Sequence, residues 1–201
     1  MGKPRIAIIG LGATGTVLAA AIIAQYPETV LVGRNPGAGE MLLSKGLRVS
    51  GAISYQTPVK NFVSQIKQLN RSKPDLIFLA TKTFHLDQIL KDLEDVYRPG
   101  IKIISTQNGL GTEDLIADKF GADTAFRMSL NYGVSLKAVG EAEIAFFNRP
   151  NHLGSLNQEN RDQGLEIARL MTDCGLDTEF VDDIKFYVWR KMVMKCTMAS
   201  I

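Results

Sequence analysis

Residues 5–26 read RIAIIGLGATGTVLAAAIIAQY, and how this stretch is read decides the fold. RIAIIG (5–10) is a short apolar run rich in β-branched residues and predicts a strand. ATGTVLAAAIIAQY (13–26) has helical length and an alanine-rich composition and predicts a helix. The link between them, Gly10-Leu11-Gly12-Ala13-Thr14-Gly15, is a G-x-G-x-x-G. At a strand-to-helix turn the first glycine permits a tight bend, the second lets the backbone approach a pyrophosphate, and the third lets helix and strand pack closely. The helix start then offers unpaired N–H groups and a positive dipole end to an anion. Alone the motif is weak. At the first strand-to-helix turn of an alternating chain it predicts nucleotide binding.

The alternation continues outward. TVLVG (29–33) repeats the strand signal, GEMLLSKG (39–46) reads as a short helix closed by Gly46, and residues 47–61 read as extended, turn-interrupted chain. DLIFLAT (75–81) is a buried strand, followed by an amphipathic helix over 84–97 that Pro99-Gly100 terminates. IKIIST (101–106) is the next strand and TEDLIADKF (112–120) the next helix, with Thr112 as its N-cap. Strands alternating with helices imply parallel pairing and a doubly wound α/β sheet. After residue 122 come successive strands, TAFRMSLNYG, EAEIAFF and HLGSL, then a helix over 158–174, the short strand DTEFV and a final helix. Asp182-Asp183 precede that helix as candidate caps and mark the expected domain boundary: 1–182 for the sheet domain, 183–201 for the start of another.

The end of the second strand bears on the choice of dinucleotide. An NAD site carries Asp or Glu there for the ribose 2′-hydroxyl; this chain has Gly33-Arg34-Asn35. With no acid to repel it, a 2′-phosphate can be clamped by the Arg34 guanidinium, which points to NADP(H); the alternative is an ordinary surface arginine. Two more strand ends fall on the same sheet edge, where open α/β sheets bind ligands. Lys82, in ATKTFH, either reaches the cofactor's phosphate or ribose or is a solvated loop lysine. Asn108, in TQNGLGTE, either bonds ribose hydroxyls and a substrate carbonyl or forms a turn. His85 and His152 read as structural.

A net charge of +2 leaves nucleic acid out as a partner, and no apolar run approaches the ~20 residues of a membrane span. Residues 1–12 lack a signal-peptide core, and Ile6 stands where a myristoylation signal after Gly2 needs Ser or Thr, so the expectation is a cytoplasmic protein. Cys174 and Cys196 have no CxxC spacing or histidine company; they read as reduced, buried thiols, and no metal site is expected.

Together Gly10-Leu11-Gly12-Ala13-Thr14-Gly15, Arg34, LATKTF with Lys82, TQNGLGTED with Asn108 and VWRKM with Lys191 resemble the ketopantoate reductase (2-dehydropantoate 2-reductase) family. The resemblance implies a Rossmann-like domain followed by an all-helical one, with an active site between them that reduces a small 2-keto acid with NADPH on the route to coenzyme A. It implies that Gly10, Gly12 and Gly15 bind pyrophosphate, that Arg34 and Lys82 bind NADPH, that Asn108 sits beside the nicotinamide ribose and substrate, and that Lys191 is the general acid. An ammonium in that role stabilises the charge that builds on the keto oxygen and then donates its proton. Two departures stand out. Family members are longer, so the final helix is expected to be the first of an otherwise missing helical domain. Four residues after the lysine, where the family pattern has asparagine, this chain has Lys195.

Lys191 and Lys195 are neighbours on one helix face and are read as a cationic socket for an acidic substrate. From Ile184 to Ile201 the polar positions are scattered, and a helix apolar nearly all round is a buried one. Its cover is expected from the missing domain, a second polypeptide or a second copy. Two other readings remain open: reduction of a different 2-keto acid, of opine type for example, and a non-catalytic NADP(H)-binding module.

Overall fold

The computed structural model describes residues 3–198. The first half alternates: β1 (Ile6–Ile9), α1 (Ala13–Gln25), β2 (Val30–Val32), α2 (Pro36–Lys45), then β3 (Leu47–Gly51), β4 (Tyr55–Thr57) and β5 (Asn61–Val63). β6 (Leu76–Leu79), α3 (Leu86–Glu94), β7 (Lys102–Ser105), α4 (Thr112–Phe120) and β8 (Ala125–Ser129) continue it. β9 (Tyr132–Ala138), β10 (Glu141–Phe147), β11 (Asn151–Ser155), α5 (Arg161–Asp173), β12 (Thr178–Phe180) and α6 (Ile184–Met198) complete the described chain.

An eight-stranded sheet has the order β12-β11-β8-β7-β6-β1-β2-β5. From β5 to β8 every neighbouring pair is parallel; β11 runs antiparallel to β8 and parallel to β12. The strands are short and buried on both faces, as the interior of a parallel sheet requires. Ile8, Leu31, Phe78, Ile104 and Phe126 face one apolar layer with α1 and α5; Ala7, Ile9, Val32, Ile77 and Leu79 face the other with α3 and α4. The mostly parallel Rossmann-like sheet is thus as expected.

A second sheet is not expected from the sequence. β4, β3, β10 and β9, in that order, form a separate four-stranded sheet on the outer side of α1. Leu47, Val49, Ala142 and Ile144 of this sheet join Val17, Leu18 and Ile22 of α1 in one core. The helix therefore lies between two sheets, and Gly15 through Ile23 are all buried. Three consecutive alanines, Ala19 to Ala21, keep it thin enough for strands to close from both sides.

Several boundaries differ from the sequence reading. TAFRMSLNYG is two strands, not one: the chain turns at Asn131, whose N–H donates to Asn151 Oδ1 at 2.9 Å, and passes from the large sheet to the small one. α2 begins at Pro36, earlier than expected, because the Asn35 side-chain oxygen Oδ1 accepts from Gly37 N and Ala38 N at its start. α3 starts at Leu86 and ends at Glu94, ahead of Pro99-Gly100. Thr112 does not cap α4. Gly111 takes that position, and the Thr112 hydroxyl turns inward to Ser105 Oγ at 2.8 Å.

α6 is capped as expected, with Asp183 Oδ1 accepting from Phe186 N at 3.1 Å. Ile184 and Val188 bury one stripe of it against β8 and β11. A Cβ on Gly154 would lie 2.6 Å from Ile184, so this close approach depends on the glycine. Within this chain the helix is covered on one side only: Phe186, Trp189, Val193 and Met194 are each more than half exposed. Residues 199–201 of the expected helix, and Gly2, lie outside the described residues. Cys174 is buried, its thiol pushed up to about 12 by burial, whereas Cys196 is exposed, contrary to expectation. Among the described residues no helix is long and apolar enough to cross a membrane, and no group of three or more His, Cys, Asp or Glu is placed to hold a metal ion.

Candidate functional site

The carboxyl ends of β1, β2, β6, β7 and β8 open onto a cleft of about 1670 Å³ whose far wall is α6. Gly10 to Thr14, Arg34, Lys82, Asn108, Lys191 and Lys195 all line it; Gly15 lies behind the lining. The three glycines of the loop divide by task. Gly10 has φ 101°, and a Cβ there would sit 2.8 Å from Thr81 N; a Cβ on Gly15 would sit 1.9 Å from Gly10 O. These two are demanded by the turn itself. A Cβ on Gly12 would meet nothing within 4 Å, so the space above it is open to a ligand. The α1 N-terminus beneath has no side-chain cap and no acidic residue in its first turn, leaving its N–H groups and dipole available to a phosphate.

Arg34 follows β2 at the exposed edge of the cleft. Its Nη2 lies 3.1 Å from His85 Nε2. A guanidinium only donates, so His85 Nε2 is the acceptor in this contact. His85, read from sequence as structural, therefore has a partner on the cofactor side of the cleft. It sits in a short 3-10 turn, Thr83–His85, that begins right after Lys82. Lys82 is exposed. The loops after β6 and β7 are stitched together: Gln107 Nε2 donates to Thr81 Oγ1 at 3.0 Å and to Lys82 O at 3.3 Å, and Thr83 Oγ1 donates to Asn108 O at 2.6 Å. The last of these engages the Asn108 carbonyl, and Asn108, itself exposed, lines the cleft.

Lys191 projects from α6 and is half-buried, its ammonium donating to Leu130 O just past the end of β8. Burial, then the nearby Lys195 and Arg127, lower its pKa to about 8. Lys191 and Lys195 do lie together along the cleft, as their i, i+4 spacing requires. Sequence reasoning missed the groups around them. His152 lies with Nδ1 3.1 Å from Asn131 Nδ2 and stacks on Tyr187 with ring centroids 3.9 Å apart. Burial and Arg190 lower its proton affinity. Arg127 and Glu113 are buried beneath the Asn108 loop. The one signal for them in the sequence is an arginine inside the apolar run AFRMSL.

The ketopantoate reductase PanE/ApbA family matches this chain over residues 6–158. The 2-dehydropantoate 2-reductase of Archaeoglobus fulgidus is 29% identical over a 204-residue alignment that takes in all of this chain and 64% of its own. That of Lactococcus lactis is 25% identical over 197 residues, 98% of this chain and 63% of its own. The chain thus spans a little under two thirds of these relatives' length. Among solved structures, the ternary complex of D-mandelate dehydrogenase with NADH and anilino(oxo)acetate is similar at a TM-score of 0.82 and 22% identity, over 93% of this chain and 60% of that one. The 2-dehydropantoate 2-reductase from Geobacter metallireducens is similar at 0.79 and 22%, over 94% and 62%. At these identities the structural likeness concerns the fold.

Proposed function

The chain belongs to the ketopantoate reductase PanE/ApbA family, and from that premise we propose that it is the cofactor-binding part of an NADP(H)-dependent reductase of a small 2-keto acid. One observation carries the reading: the glycine-rich loop, with open space above Gly12, and the half-buried Lys191 line the same cleft on opposite walls.

In this reading residues 1–182 hold the cofactor and residues 183–201 begin the helical substrate domain. Gly10 to Gly15 cradle the pyrophosphate, and Arg34 and Lys82 take the 2′-phosphate and neighbouring oxygens. The missing acid after β2 favours NADPH over NADH. When bound, the reduced nicotinamide supplies a hydride. Asn108 orients the ribose and the substrate carbonyl. Lys191, held against Leu130 O, stabilises the negative charge on the keto oxygen and donates its proton to form the hydroxyl. A proton affinity near 8 suits this task, since the group is charged at neutral pH yet releases its proton readily.

Ketopantoate is the first substrate to try. The broader 2-keto acid reading has its own support in Lys195, which puts a cation beside the proposed general acid where the resemblance leads one to expect an uncharged amide. The test is steady-state oxidation of NADPH, with NADH as control, against ketopantoate and a panel of branched, aromatic and dicarboxylic 2-keto acids, together with nucleotide binding by fluorescence. Tighter NADPH than NADH binding and turnover with any 2-keto acid are expected. Binding of neither nucleotide would overturn the reading.

A further inference from the structure

Arg127 and Glu113 have 4% and 3% of their side-chain surface exposed, and the chemistry above uses neither. A buried ion pair loses much hydration and is weak grounds for stability, so its retention calls for another role. Here the pair lies under the loop that carries Asn108. The Arg127 guanidinium donates through Nη2 to Gly109 O at 3.0 Å, through Nη1 to Ser105 Oγ at 3.0 Å, and through Nη1 to Thr112 Oγ1. One side chain thereby ties the end of β7, the middle of the loop and the first turn of α4. Its Nε faces Glu113 Oε2 at 3.8 Å and makes no hydrogen bond of its own. The loop is held from its other side by Thr83 Oγ1, and Gly109 takes φ 128°, a conformation other residues avoid. Arg127 also shares a small pocket with Asn108, Lys191 and Lys195.

We propose that Arg127, backed by Glu113, is a positioning residue of this site: its guanidinium fork fixes the loop that presents Asn108, and its charge sets the electrostatic setting of Lys191 across the same pocket. The proposal rests on the reading of Asn108 and Lys191 given above. The charged and titratable groups that share the neighbourhood of Lys191 are Arg127 on β8 with Glu113 behind it, Tyr132 on β9, Arg149 after β10, His152 on β11, and Tyr187, Arg190 and Lys195 on its own helix. After burial and Lys195, Arg127 is the next cause of the lowered proton affinity of Lys191.

Arg127→Lys, Arg127→Met and Glu113→Gln are compared with the parent by two measurements that need no turnover. These are the NADPH dissociation constant from nucleotide fluorescence, and the pH dependence of trace acetylation at Lys191 read by mass spectrometry. Arg127→Lys keeps a cation but loses the fork. It is expected to weaken NADPH binding about tenfold while Lys191 titrates as in the parent. Arg127→Met removes the cation, and Lys191 is expected to titrate at higher pH. Glu113→Gln leaves Arg127 uncompensated, and Lys191 is expected to titrate at lower pH. Should Arg127→Met not fold, as judged by circular dichroism, the other two variants carry the test. Unchanged NADPH affinity in Arg127→Lys, together with an unchanged Lys191 titration in Glu113→Gln, would overturn the proposal. Failure of the parent chain to bind NADPH would instead overturn the cofactor reading, and the acetylation measurement then decides this proposal alone.

Discussion

Alanine at Gly12 and alanine at Gly15 add the same methyl group to the same loop, with different physical consequences. At Gly12 the added Cβ meets no protein atom within 4 Å, so the Gly12→Ala protein is expected to keep its stability to within about 0.5 kcal/mol and lose NADPH affinity. At Gly15 the Cβ would fall 1.9 Å from Gly10 O, and Gly15→Ala is expected to cost roughly 1–3 kcal/mol as the turn is forced open. Urea denaturation alongside nucleotide titration separates the two. Lys191 carries a pH prediction whose sign follows from the role proposed for it. As an acid it works protonated, so reductive kcat/KM is expected to be level below neutrality and to fall as pH rises through about 8, while oxidation of the hydroxy acid runs the opposite way. Lys191→Met should lower the reductive rate by about 100-fold or more with NADPH affinity retained. The glycines, Arg34, Lys82 and Asn108 were legible as cleft residues because each sits beside a local landmark, the end of a strand or the start of a helix, whereas Lys191, in the middle of α6, was found only through the resemblance of VWRKM. The pairings of Arg127 with Glu113 and of His85 with Arg34 were not legible, because they join positions 14 and 51 apart and no local pattern records them.

At the scale of elements, α1 has the most demanding surroundings. Ala20 has no exposed surface, its carbonyl accepts from Thr57 Oγ1 at 3.1 Å, and strands of both sheets lie against the helix. Ala20→Leu therefore has nowhere to put three extra carbons and is expected to destabilise the protein by about 1–3 kcal/mol, read as a lower urea midpoint at unchanged slope. The alternation of strand and helix up to β8 was readable because each unit buries its own apolar run. The small sheet was not. β3 pairs with β10 across some ninety intervening positions, Arg48 opposite Glu141 and Val49 opposite Ala142, and residue types that read only as extended chain acquire a sheet from that distant partner. The all-apolar circumference of α1 held the clue, since a helix covered on one side only would carry a polar stripe.

The whole molecule leaves one face unfinished. Phe186, Trp189, Val193 and Met194 stand more than half exposed along α6, and clustered exposed apolar side chains are where association is expected. The 201-residue chain is expected to associate with rising concentration in sedimentation velocity, and Trp189→Lys with Val193→Lys to abolish the association. A parent chain that stays monomeric at every concentration would show that the face tolerates water. Trp189 is also the single tryptophan of the sequence, two positions from Lys191 on the wall of the cleft. Indole emission overlaps the near-ultraviolet absorption of a reduced nicotinamide and shifts to shorter wavelength when the ring leaves water. Trp189 emission is therefore expected to be quenched when reduced cofactor is added and to shift to shorter wavelength if a neighbour covers the helix, which would let the two events be timed separately in one cuvette.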